Sequence, residues 1–147
     1  MERIAQAGHR VVATARKTSS LSYLEDGPNV LKIQLDVTSP ADIARVVAAA
    51  VEKFGRIDVL INNAGYGLMG DFEAIPDEHA RKEFETNFWG PMNLTREVLR
   101  VFREVNPKGQ GGTIVQVSSM GGYMGFPGNT FYHARYAHYA KELLANC

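Results

Sequence analysis

Ile43, Val46, Val47, Ala50, Val51 and Phe54 recur at steps of three and four residues, the spacing that lines one side of an α-helix. Ser39 just ahead of them is a capping residue, Pro40 suits a first helical turn, Asp42 completes a capping box of the S-x-x-D kind, and Gly55 is a stop. Together they predict a helix from Ser39 to Gly55. Four shorter runs, residues 9–15, 30–35, 57–61 and 113–118, are rich in Val, Ile, Leu and Thr and predict strands. Residues 1–7 read as the end of a helix stopped by Gly8, and the segment around Asp26-Gly27-Pro28 reads as a loop. A longer helical pattern covers residues 76–105 and carries Phe84, Phe88, Met92, Leu94, Val98, Leu99 and Phe102. Pro91 inside it predicts a kink or a break, because proline has no N–H for the preceding turn. Strands alternating with helices predict an α/β domain built on a parallel sheet.

Composition narrows the function classes more than the fold. With 147 residues the chain is read as one domain with a real core, and 45% hydrophobic against 22% charged residues is ordinary for a globular protein. Lys+Arg and Asp+Glu both total 16, so no charge excess argues for nucleic acid or an anionic membrane. The single cysteine, Cys147, leaves no internal disulfide and no cysteine-based zinc site. His133 and His138, five apart, do not share a helix face and make a poor metal pair. No apolar run reaches the roughly 18 residues of a membrane span, and the first residues are too polar for a signal peptide. The expected setting is the cytoplasm.

The candidate chemistry sits where strands end. Asn62-Asn63-Ala64-Gly65 closes the third run, and ligands of open parallel sheets bind at the carboxyl ends of strands. Small residues there admit a cofactor against the backbone; an ordinary Asn/Gly turn explains the same residues equally well. Asp36, with Val37 beside it, ends the second run and either accepts from an adenine amine or faces solvent before the Ser39 cap. Arg16 follows the first run. In dinucleotide-binding sheets an acid at this point holds a free 2′-hydroxyl and an arginine accommodates a 2′-phosphate, so Arg16 favours NADP(H) over NAD(H) unless it is a solvated loop charge. Ser119, after the fourth run, stands thirteen residues before Tyr132, which suits two hydroxyls converging on one carbonyl oxygen.

Asp36-Val37, Asn62-Asn63-Ala64-Gly65, Asn87 twenty-four residues beyond Asn63, and Ser119 paired with Tyr132 resemble, in order and spacing, the short-chain dehydrogenase/reductase family. The resemblance covers residues 1–133, and the segment 121–128 looks most like the branch acting on steroids and retinoids. It implies a Rossmann-type parallel sheet with flanking helices and hydride transfer between nicotinamide and a small alcohol/carbonyl substrate. Tyr132 would be the general acid-base, Ser119 would polarise the substrate oxygen, and Asn87 would hold a water in a proton relay. Asn63, Ala64 and Gly65 would join Arg16, Asp36 and Val37 in binding the cofactor. The two long helices, here residues 76–105 and the one starting near Tyr132, commonly form a dimer interface in this family, so a homo- or hetero-dimer is implied as well.

Three departures shape the expectation. The family's lysine four residues after the tyrosine is replaced by Tyr136, with Arg135 at three and Lys141 at nine. No early glycine cluster receives a pyrophosphate, so the sheet is expected to lack its first strand and to leave a gap at the centre of the order 3-2-1-4-5-6. The C-terminal strands are expected to be missing too, with residues 134–147 a divergent tail carrying Tyr136, Tyr139, Leu143 and Leu144 as an apolar stripe. Weak or absent turnover by this chain alone is the expectation; the rival is a non-catalytic fragment that pairs with a full-length relative and modulates it.

Overall fold

The computed structural model describes residues 1–134. The departures at Arg135, Tyr136 and Lys141, and most of the expected tail, lie outside them. The chain forms two compact units, one of Met1–Leu60 with Asn93–Thr113, the other of Ile61–Met92 with the residues from Ile114 onward.

In the first unit, helix α1 (Glu2–Gln6) ends before Gly8, whose φ of 83° is the left-handed conformation that glycine adopts without steric cost. Strands β1 (Val11–Ala15) and β2 (Val30–Gln34) pair in parallel, Val11 opposite Val30 and Ala15 opposite Gln34. The connection between them folds back as a short 3-10 turn, Thr18–Leu21, which buries Leu21 and Leu24 with Val11 and Ala13.

Helix α2 (Pro40–Phe54) follows the sequence pattern closely. Ser39 Oγ accepts the Asp42 N–H at 3.2 Å, Ile43, Val46, Val47 and Ala50 are buried, and Gly55 closes the helix with φ 76°. The capping box differs in one bond. The Ser39 N–H already serves the Asp36 carbonyl at 3.0 Å, so the Asp42 carboxylate takes the Asp36 N–H instead, also at 3.0 Å.

Strands β3 (Val59–Asn62) and β4 (Thr113–Gln116) make a second two-stranded sheet. Thr113 N–H donates to Asp58 O at 2.8 Å and Val117 N–H to Asn62 O at 2.9 Å, so the bonds advance together along both strands, as in a parallel pair. The start of β3 is fixed by buried Asn106, whose Nδ2 donates to the carbonyls of Ile57 and Gly111 while its Oδ1 accepts the Ile57 N–H.

The helical pattern over residues 76–105 resolves into three pieces: α3 (Asp77–Phe84), a π-helical turn at Glu85–Trp89, and α4 (Gly90–Glu104). Pro91 explains the wide turn. Lacking an N–H, it cannot serve the carbonyl four residues back at Asn87, and a π turn is one way a helix absorbs such a break. In α4, Leu94, Val98, Val101 and Phe102 are buried. Among the described residues no helix is long and apolar enough to cross a membrane.

Candidate active site

Asn62 ends β3 with its side chain buried, and the chain then runs through Asn63, Ala64, Gly65, Tyr66 and Gly67 without regular structure. These six residues form one wall of a cavity of about 270 Å³. Asn87 and Pro91, Gln116 and Val117, and Tyr132 line the rest. Five of the residues marked out in the sequence, Asn63, Ala64, Gly65, Asn87 and Tyr132, therefore meet around one space, all within the second unit.

Ser119 does not line that cavity, but it stands next to Tyr132. Its Oγ accepts the Gly121 N–H at 3.2 Å, capping the short 3-10 turn Met120–Gly122. A Cβ built on Gly121 would lie 3.6 Å from Ser119 Oγ and 3.0 Å from Tyr132 Cε1. The serine hydroxyl and one edge of the phenol ring thus flank a single point that only a hydrogen atom occupies. The opposite ring edge faces Gly67, where a Cβ would lie 3.7 Å from Tyr132 Cδ2 and Cε2. Two glycines on separate loops form the slot that holds the ring. Tyr132 itself sits on a helical turn that opens at Thr130, where the His133 N–H donates to Asn129 O at 2.9 Å.

The Asn87 carboxamide is committed to the cavity wall. Its Oδ1 accepts the Tyr66 N–H at 2.9 Å, and its Nδ2 donates to Tyr66 O at 2.6 Å and to Glu83 Oε1 at 3.3 Å. Both Nδ2 hydrogens are thereby used.

The other three marked residues lie in the first unit. The Leu35 N–H bonds to Ala15 O at 3.0 Å, keeping β1 and β2 level, so Arg16 leaves the sheet at the same carboxyl end as Asp36 and Val37. Arg16 is exposed. Asp36 Oδ1 accepts from the Thr38 N–H at 2.9 Å and the Thr38 hydroxyl at 2.7 Å, which pins the carboxylate in its own turn.

Residues 1–137 match the family model described as short chain dehydrogenase. The chain belongs to the short-chain dehydrogenase family. It is 46% identical over 133 residues to oxidoreductase calM of Penicillium decumbens, covering 88% of this chain and 43% of that protein. It is 37% identical over 131 residues to the 3-ketodihydrosphingosine reductase of Bacteroides thetaiotaomicron, 89% of this chain and 45% of the relative. A third relative, 11-beta-hydroxysteroid dehydrogenase 1A of Arabidopsis thaliana, is 34% identical over 134 residues, 86% of this chain and 37% of the other. The chain thus spans less than half the length of these curated relatives. Among solved structures, a short-chain dehydrogenase from Streptomyces avermitilis superposes with a TM-score of 0.82 at 38% identity, covering 92% of this chain and 49% of that one. The 3-ketoacyl-(acyl-carrier-protein) reductase of Brucella melitensis, complexed with NADH, gives 0.85 at 30% identity, over 92% and 57%. These neighbours share the Rossmann-type arrangement of parallel strands flanked by helices.

Within this family member the sequence left several residues of the wall and of its surroundings without a role. Gln116 carried a signal, a lone polar residue inside the apolar run Thr113-Ile114-Val115-Gln116-Val117. Glu83 carried one too: it falls three residues after Ala80 and four before Asn87, on the buried stripe of its helix. Tyr66 and Gly67 carried none, because their part depends on contacts between segments distant in sequence.

Proposed function

We propose that this chain supplies the cofactor-binding and acid-base half of an oxidoreductase that prefers NADP(H) over NAD(H) and acts on a bulky apolar alcohol or ketone. The observation that carries the reading is the convergence of Asn63, Ala64, Gly65, Asn87 and Tyr132 on one cavity, with Ser119 beside the phenol ring. A flat pyridine ring needs a wall nearly free of side chains, and Ala64, Gly65 and Gly67 meet that need. Arg16, Asp36 and Val37 would hold the adenosine end, with the Arg16 guanidinium on a 2′-phosphate and Asp36 Oδ2 open to an amine. When bound, the nicotinamide supplies or takes up the hydride.

In this reading Ser119 orients the substrate oxygen through a hydrogen bond, and the Tyr132 hydroxyl gives that oxygen a proton during reduction or removes it during oxidation. Asn87 borders the proton path at the cavity wall. Position 136 holds tyrosine where the family places lysine, so slow turnover near neutral pH is part of the proposal. Apolar substrate selection is supported by the exposed side chains of Met69, Phe72, Met120, Tyr123 and Met124. The two loops carrying them meet through the Gly70 N–H bond to Gly128 O at 2.9 Å and the Phe72–Phe131 ring stack at 5.4 Å. Relatives named for a hydroxysteroid and for ketodihydrosphingosine point the same way. A dimer through residues 76–105 and the helix starting near Tyr132 belongs to the same proposal, with exposed Trp89 as an apolar contact.

Fluorescence titration of NADPH and NADH tests the cofactor assignment. NADPH is expected to bind more tightly, and Arg16→Ala to weaken NADPH about tenfold or more, the worth of one charge-assisted bond, while leaving NADH unchanged. Equal affinity for both cofactors, insensitive to Arg16, would contradict it.

A further inference from the structure

Glu83 is fully enclosed at 0% exposure, although every other charged residue of α3 faces water. Asp77 pairs with Arg81 at 3.9 Å and Glu78 with Lys82 at 2.6 Å, both on the exposed side. A helix position buried this deeply is ordinarily apolar, since enclosing a carboxyl group costs free energy unless hydrogen bonds replace its water. One bond of Glu83 leads toward the cavity. Its Oε1 accepts from Asn87 Nδ2 at 3.3 Å, one turn further along and across the start of the π-helical turn.

Asn87 then grips both backbone polar groups of Tyr66, N–H to Oδ1 and Nδ2 to O. That geometry uses one Nδ2 hydrogen on Tyr66 and leaves the other directed at Glu83. Removing that acceptor takes a fixed partner from the Asn87 carboxamide, and the grip on Tyr66 would compete with any rotation that replaced it. With the acceptor present, a flipped amide would set its oxygen against two other oxygens and its NH₂ against an N–H.

We propose that Glu83 is a positioning residue for the cavity: by fixing the Asn87 carboxamide it holds Tyr66, and through Tyr66 the wall formed by residues 62–67. The grip needs no cofactor, so its test stands apart from the cofactor assignment made above.

Amide hydrogen exchange on the whole chain, read residue by residue by NMR, is the test, with Glu83→Leu removing the acceptor and Glu83→Gln keeping one. In Glu83→Leu the Tyr66 amide is expected to exchange at least about tenfold faster while the amides of Val98 and Val101, buried in α4, keep their protection; in Glu83→Gln, Tyr66 stays within about threefold of the parent, the pattern of a local opening. A Tyr66 rate unchanged in Glu83→Leu, or Tyr66, Val98 and Val101 all speeding up in parallel, would overturn the proposal, the second outcome marking a merely structural carboxyl. Should Glu83→Leu fail to fold, Glu83→Gln decides: retained Tyr66 protection supports the grip, and its selective loss rejects it. NADPH titration of the same variants is the second readout, expected to weaken in Glu83→Leu and not in Glu83→Gln. A parent chain that binds no NADPH removes the cofactor assignment and leaves the exchange result intact.

Discussion

Gly121 and Gly67 face the same phenol ring from opposite edges at unequal distances, and the inequality makes a prediction. An added methyl at position 121 lies 3.0 Å from Tyr132 Cε1 and 3.2 Å from Cδ1, closer than carbon atoms approach without moving. At position 67 the corresponding distance is 3.7 Å, ordinary contact. Gly121→Ala should therefore displace the ring from Ser119 and lower any nicotinamide-dependent rate by about tenfold or more, since misplacing a reacting group by even 1 Å is costly. Gly67→Ala should be the milder of the two, and equal effects would show that the slot does not position the ring. Gly112 is a structural counterpart. A Cβ there would fall inside the van der Waals envelope of the buried Phe102 ring, so Gly112→Ala should cost about 1–3 kcal/mol in urea unfolding through overpacking.

At the scale of elements, α2 shows what local sequence signals can specify. Ser39, Pro40 and Gly55 act within their own turn, and each performs there the role that its residue type implies. Ser39→Ala should lower stability by about 1 kcal/mol, measured as a shift of the unfolding midpoint. The hydrogen bond from Arg45, reinforced by the Asp36 N–H, holds the Asp42 carboxyl below its ordinary value of 3.8. A depressed carboxylate stabilises the fold above its unfolded pKa, and the contribution disappears as pH falls through the lower folded value. Unfolding midpoints should therefore be insensitive to Asp42 between about pH 7 and pH 5 and drop below about pH 4, with Asp42→Asn flattening that acid limb. The π turn was only half legible. Pro91 announced a break, but its missing N–H acts on carbonyls one turn earlier, so the distortion lies at Glu85–Trp89 rather than at the proline. The Asn106 bonds to Ile57 and Gly111 were not legible at all, because nothing near Asn106 in sequence names the backbone it grips.

Over the whole chain, the strand-end residues were the legible part of the site and the loop-to-loop contacts were not. Asn63, Ala64 and Gly65 could be marked because a parallel strand delivers its last residues to the ligand end, and Tyr132 because its spacing from Ser119 is part of the family resemblance. The grip of Glu83 and Asn87 on Tyr66 depends instead on a helix meeting a loop twenty-one residues away from Asn87. The four described strands form two separate two-stranded sheets, and Val59, Ile61, Val115 and Val117 are exposed on them. Exposed apolar side chains on short two-stranded sheets with open edges invite association. Light scattering of the chain alone should show concentration-dependent assembly, reduced by Ile61→Lys with Val115→Lys.

The central claim is that the Tyr132 hydroxyl trades a proton with a carbonyl oxygen beside a nicotinamide, and single-turnover oxidation of NADPH with a bulky apolar ketone tests it most directly. A slow, saturable reaction is expected, falling about 100-fold or more in Tyr132→Phe, the scale of a lost general acid. A rate that is the same with phenylalanine at position 132 would contradict the account.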